Sequence, residues 1–196
     1  MLYSKIMKLE ERLELFKEKI KTKDFLECKG LGNEIPYWIF DYEPEKELLV
    51  RDTIEKMVTS FETKYSLKII EINLYYLCLK ILSQKLTDEK VIHFEKKKGS
   101  DALLEKIRLI LNQDVTKKEI SEILHGNYDI IFLTGVGNAW PMVRAHSVLN
   151  NLHSVTGKKP LVMFYPGKFS GLDLSLFGEF KSKNYYRAFR LMPEAM

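Results

Sequence analysis

The residues best placed for chemistry by type and spacing lie in "DIIFLTGVGNAWPMVRAHSVLNNL", residues 129–152. An apolar run enters a glycine-rich turn, and the turn enters a helical pattern. That layout can present backbone N–H groups and a helix N-terminus to a phosphate. Thr134, Gly135, Gly137, Asn138 and Arg144 are the candidates for such an anion site. Two specific forms of the chemistry fail. A dinucleotide fingerprint, G-x-G-x-x-G, needs a third glycine so that the helix can pack closely on the strand. Gly135 and Gly137 fit the first two places, but Trp140 occupies the third. A Walker A loop needs Gly-Lys followed by Ser or Thr. Here Gly157-Lys158 continues with Lys159, and Gly167-Lys168 continues with Phe169. A purely structural reading stands beside the anion site: Asn138 as a helix N-cap and the glycines as a tight turn of positive φ.

Other reactive groups are scattered. The four histidines are His93, His125, His146 and His153. His146 and His153 share a helix face, but seven residues span about 10 Å, too far to chelate one ion. No histidine lies in a metal-ligand spacing, and no G-x-S-x-G nucleophile elbow occurs. Glu10-Glu11 and Glu43/Glu45 lie in charge-rich stretches that read as solvated surface and helix-dipole complement. Cys28 and Cys78 have no pairing signature and read as reduced thiols. No cofactor is expected.

The elements that must position these groups follow from periodicity. Residues 3–22 read as a helix, and Leu2, Ile6, Leu9, Leu13, Phe16 and Ile20 recur as a short heptad-like seam. Such a seam either packs on the domain core or is offered to a partner's helix. Strands are expected at Tyr37–Tyr42, Leu67–Ile72, Tyr128–Leu133 and Pro160–Pro166, with a last one from "YYRAFRL", Tyr185–Leu191. Asn73 is a good N-cap for the apolar helix that follows it, and "TKKE", Thr116–Glu119, has the form of a capping box. One helix, about 139–153, joins two apolar strands and makes a βαβ unit. The fold class is therefore α/β: a mainly parallel, Rossmann-like or P-loop-like sheet with helices on both faces, lacking both a Walker A loop and a dinucleotide fingerprint. The chain reads as a single domain over 1–196.

In parallel sheets, sites form at the carboxyl ends of strands. That places Thr134–Asn138 and the long connection "YPGKFSGLDLSLFG", Tyr165–Gly178, on one rim. Long connections in compact domains are often functional. Leu172, Leu174, Leu176 and Phe177 within it either fold onto the core or form a patch for a partner.

Composition limits the function classes. The chain has 196 residues, 45% of them hydrophobic and 30% charged, a globular balance. Net charge is only +4, and the densest basic run, Lys96–Lys98, is short. A DNA-binding module normally shows a concentrated basic face. The charged N-terminal stretch does not resemble a signal peptide, and no apolar run approaches the ~20 residues of a membrane span. A cytoplasmic protein without membrane contact is expected.

Several ordered pieces resemble the BrxB family, the small component of BREX bacteriophage-exclusion systems. They are Thr134-Gly135-Val136-Gly137, Leu149-Asn150-Asn151-Leu152, Pro166-Gly167, Leu176-Phe177-Gly178 and Asn184-Tyr185-Tyr186-Arg187-Ala188-Phe189. "FDYEPEKELLVR" fits the family more loosely. The chain departs from the family pattern at Ala145, where a serine is usual, and at Trp140, which replaces a smaller aromatic. The resemblance implies a bacterial, multi-protein antiviral defence system. Its other members include a DNA adenine methyltransferase, an AAA-type ATPase and a PglZ-type phosphatase-like protein. It brings no established catalytic residues. The expected function is a non-catalytic assembly or adaptor component, meeting the PglZ-type protein or the ATPase by protein–protein interaction and DNA only indirectly. Leu9, Leu13, Phe16, Phe169, Leu172, Leu174, Tyr185 and Arg187 are the candidate interaction residues. Two alternatives stay open: a nucleotide- or phosphate-binding enzyme using 134–138, and a DNA-binding module.

Overall fold

The computed structural model describes residues 7–29, 37–182 and 188–192. The chain divides into two compact units. One comprises 1–71, 127–132 and 158–196; the other comprises 72–126 and 133–157.

The first unit is organised by a mainly parallel sheet. Strand β1 is Tyr37–Tyr42, β2 Ile69–Asn73, β3 Ile130–Thr134, β4 Leu161–Phe169 and β7 Phe189–Arg190, in the spatial order β2-β3-β4-β1-β7. β1 and β4 run parallel in register from Tyr37 opposite Leu161 to Tyr42 opposite Pro166. β7 adds in parallel on the other side of β1. β3 is buried throughout. Successive side chains of a strand face opposite ways, so β3 is enclosed on both faces. This is why its sequence shows no polar alternation.

Helix α1, Leu9–Lys19, and helix α3, Glu47–Tyr65, cover one face. Leu9, Leu13, Phe16 and Ile20 join Val50, Ile54, Met57 and Phe61 over Phe40, Phe132 and Phe164. The heptad-like seam is thus consumed by the core of its own chain. The helix is shorter than the expected 3–22 because Thr22 starts a second helix, α2, Lys23–Leu26, its Oγ1 accepting from Phe25 N at 3.4 Å. Leu2 and Ile6 lie outside the described residues.

The expected long connection after β4 is not a loop. β4 runs on past the end of β1, turns at Ser170–Asp173, and returns as β5, Leu174–Leu176, followed by β6, Phe180–Ser182. Gly167, Lys168 and Phe169 pair antiparallel with Leu176, Ser175 and Leu174. The turn is closed by Asp173 N donating to Ser170 Oγ at 2.9 Å and Ser170 N donating to Asp173 O at 3.0 Å. Glycine is required at 167 because a Cβ there would lie 2.2 Å from the Ser175 carbonyl oxygen.

The second unit is helical: α4 Leu74–Ser83, α5 Asp88–Lys98, α6 Ser100–Ile110, α7 Gln113–Ile123, the single turn α8 Val136–Ala139, and α9 Ala145–Thr156. Asn73 caps α4 as expected, its Oδ1 accepting from Tyr76 N at 3.2 Å. "TKKE" does not cap α7. Asn112 does, accepting from Val115 N at 3.1 Å, and Thr116 falls inside the helix with its hydroxyl on Leu111 O. An Asn at the start of the same polar stretch outcompetes the later Thr. No helix among the described residues is long and apolar enough to cross a membrane.

Candidate functional site

The glycine turn is filled by the protein itself. Thr134 ends β3 and is buried. Gly135 adopts a left-handed conformation, φ 65°, and a Cβ on it would lie 2.3 Å from Asn73 Oδ1. The turn therefore needs glycine to let the α4 cap approach. Asn138 does not cap the long helix. It sits exposed within α8, whose own N-cap is Gly135. Pro141 cannot continue a helix, so α9 starts only at Ala145 and not near 139, with Arg144 as its exposed N-cap. The Pro141 carbonyl accepts from Arg108 Nε and Nη2 at 3.2 and 3.1 Å, tying the segment to α6. None of the five anion candidates lines the cavity described below.

Gly135→Ala is expected to cost about 2 kcal/mol in urea unfolding, from left-handed strain plus the clash. Asn73→Ala should cost about 1 kcal/mol as a lost cap. The double variant should cost less than the sum, because the smaller residue at 73 relieves the clash. Strict additivity would show that the two side chains do not compete for this space.

Among the described residues no group of three or more His, Cys, Asp or Glu could hold a metal ion. The side chains of His146 and His153 lie outside the described residues. Both cysteines are free, and burial pushes the Cys78 thiol up to about 12, away from thiolate chemistry.

A concave, charged site lies elsewhere, at the carboxyl ends of β1 and β4. Here the chain leaves β1 toward β2 and leaves β4 toward β7, in opposite directions along the sheet. Such a switch point is where open α/β sheets form crevices. The cavity measures about 280 Å³. Asp41, the penultimate residue of β1, forms its floor with Arg12 of α1. Asp41 Oδ1 accepts from Arg12 Nη2 at 2.9 Å; Oδ2 accepts from Phe169 N at 3.0 Å and Arg190 Nη1 at 3.3 Å. One carboxylate thus joins α1, β1, β4 and β7. Arg12 also lies 5.0 Å over the Phe40 ring, and Arg190 lies 5.7 Å over that of Phe169. Beside them Tyr42 donates to Glu47 Oε2 at 2.5 Å, and burial raises its phenol well above the usual range. Glu43, Glu45 and Lys168 stand exposed around the opening, and Phe177 forms a wall.

The sequence does not mark this cluster. Its local signal is slight: Asp41 is the one charge inside the apolar run "YWIFDY", and Arg12 lies on the same helix face as Leu9 and Phe16. Of the expected interaction residues, Leu9, Leu13, Phe16, Phe169 and Leu174 are buried within the chain and offer no surface. Apolar contact with the chain's own sheet claimed them first. Leu172 is exposed. Tyr185 and Arg187 lie outside the described residues.

A family model described as "BREX protein BrxB" matches residues 70–191. A "BREX protein BrxB" from Bacillus cereus (strain H3081.97) is 47% identical over 189 residues, covering 94% of this chain and 98% of the relative. A second, from Escherichia coli O9:H4 (strain HS), is 38% identical over 191 residues, covering 95% and 92%. No solved structure matches the chain.

Proposed function

The chain belongs to the BrxB family of BREX proteins, and from that premise we propose that it is a non-catalytic adaptor, assembling other components of the defence system. The observation that carries this reading is the apolar end of the β4–β6 ribbon. Leu172, Phe177 and Phe180 are all exposed, and the two rings meet edge to face at 6.5 Å. Clustered exposed aromatics are typical anchors of protein interfaces. Among the described strands β6 pairs only with β5, so its outer edge can also accept a partner's strand. The non-catalytic part rests on Asp41, whose two oxygens are engaged by three donors. Both oxygens are thus held by the protein's own donors. The partner expected here is the PglZ-type protein or the AAA-type ATPase, with DNA reached through them.

Affinity purification of the tagged protein from its native operon tests the proposal. The wild type should retain one of these neighbours. The exposed-site variant Phe177→Ser/Phe180→Ser should stay folded and lose at least 2 kcal/mol of affinity, about 30-fold. A wild-type protein that retains no operon neighbour, in cells whose phage restriction survives its deletion, would sink the adaptor reading.

A further inference from the structure

We propose that the cavity at the carboxyl ends of β1 and β4 binds a small organic oxyanion, a carboxylate or a phosphate monoester, through Arg12 and Lys168. The inference goes beyond the adaptor reading and does not rest on it.

Arg12 carries the argument. Its side chain is only 3% exposed, yet its Nε–H is buried without any acceptor among the described residues. Buried donors in folded proteins are nearly always met, and an unmet one calls for a missing partner. Asp41 takes Nη2, and no other acceptor for the guanidinium is recorded among the described residues. Arg12 does not end in closed core: it lines the 280 Å³ cavity. A guanidinium is a planar fork of five donors whose geometry matches an oxyanion better than any other group.

Lys168 adds a second cation at the opening. It is exposed and forms no ion pair among the described residues. Glu43 and Glu45 oppose an anion, but they stand in water, where salt and solvent screen them. The buried charges are Arg12 and Arg190 against the single carboxylate of Asp41, so this cluster carries a net positive charge whose field is screened far less and decides the sign. Tyr42 and Phe177 give the cavity apolar walls, which suit an oxyanion carried on a small organic body. Size bounds the ligand as well. The volume falls just below the range of about 300–1,000 Å³ typical of sites for drug-sized molecules, which suits a small ligand.

The test is calorimetric titration of the full chain at constant ionic strength with inorganic phosphate, glycerol 3-phosphate and succinate, with chloride as the control. Saturable one-to-one binding of an oxyanion is expected, with glycerol 3-phosphate or succinate preferred over inorganic phosphate. Preference for glycerol 3-phosphate identifies a phosphate site, and preference for succinate a carboxylate site. Lys168→Glu should weaken that binding about tenfold, and Glu43→Gln/Glu45→Gln should tighten it severalfold, as surface charges acting on a buried site do. Arg12→Lys keeps the charge beside Asp41 but loses the fork, and should weaken binding about tenfold or more. The exposed-site variants hold the test open if Arg12→Lys fails to fold. Absence of saturable binding in all three oxyanion arms overturns the proposal, as does weaker binding in Glu43→Gln/Glu45→Gln.

Discussion

Asp41→Ala is expected to lower the unfolding free energy by about 3–5 kcal/mol, read as a shift of the urea midpoint at unchanged slope. The size follows from what remains. Arg12 and Arg190 are 3% and 19% exposed and both face the missing carboxylate. Removing one member of a buried ionic cluster leaves the others desolvated and uncompensated, which costs more than the pair contributed. The Phe169 amide loses its acceptor as well. The effect should be strongly coupled: Arg12→Ala in the Asp41→Ala background should cost about 1–3 kcal/mol less than in the wild type. A loss below about 1 kcal/mol for Asp41→Ala, the range of surface pairs, would mean that water reaches the cluster and that it does not hold the four elements together.

Phe16→Ala should cost a similar 3–5 kcal/mol. Phe16 is fully buried, and its ring centroid lies 5.3, 5.7 and 5.5 Å from those of Phe40, Phe132 and Phe164. Those three rings belong to β1, β3 and β4, so one side chain fastens α1 to three strands. Tilted and edge-to-face pairs add to the area term, and the void would be walled by rings that cannot collapse into it. Leu15→Ala, one residue away on the exposed side, is the control and should stay within about 0.5 kcal/mol. Equal losses at 15 and 16 would place the helix in a different register on the sheet.

These two residues mark the two kinds of information the sequence holds. Phe16 was legible, because helix periodicity sets Leu9, Leu13, Phe16 and Ile20 on one face. The strand at Tyr37–Tyr42 was legible to the residue for the same reason: a short aromatic and β-branched run bounded by Pro36 and Pro44. Tertiary pairing was not. β4 outruns its apolar stretch by three residues because β5 is there to pair with it, and nothing local to Gly167 signals that partner. Gly135 looked like a phosphate glycine, and its reason is Asn73, 62 positions earlier in the chain. Asp41 and Arg12 look like ordinary charges until α1 lies on the sheet. The resemblance to the family was carried by short, ordered residue pieces and needed none of this geometry.

β4 takes part in two unlike pairings along one unbroken strand: six registers parallel to β1, then three antiparallel to β5. The exposed aromatic ribbon is therefore a cantilever whose root is the centre of the sheet. A tug on its tip along the strand loads the bonds between β1 and β4 in shear, all at once, instead of peeling them singly. Anything that grips the ribbon holds the first unit by the central strand of its sheet, and tethering through it would load that strand in shear without first peeling it away.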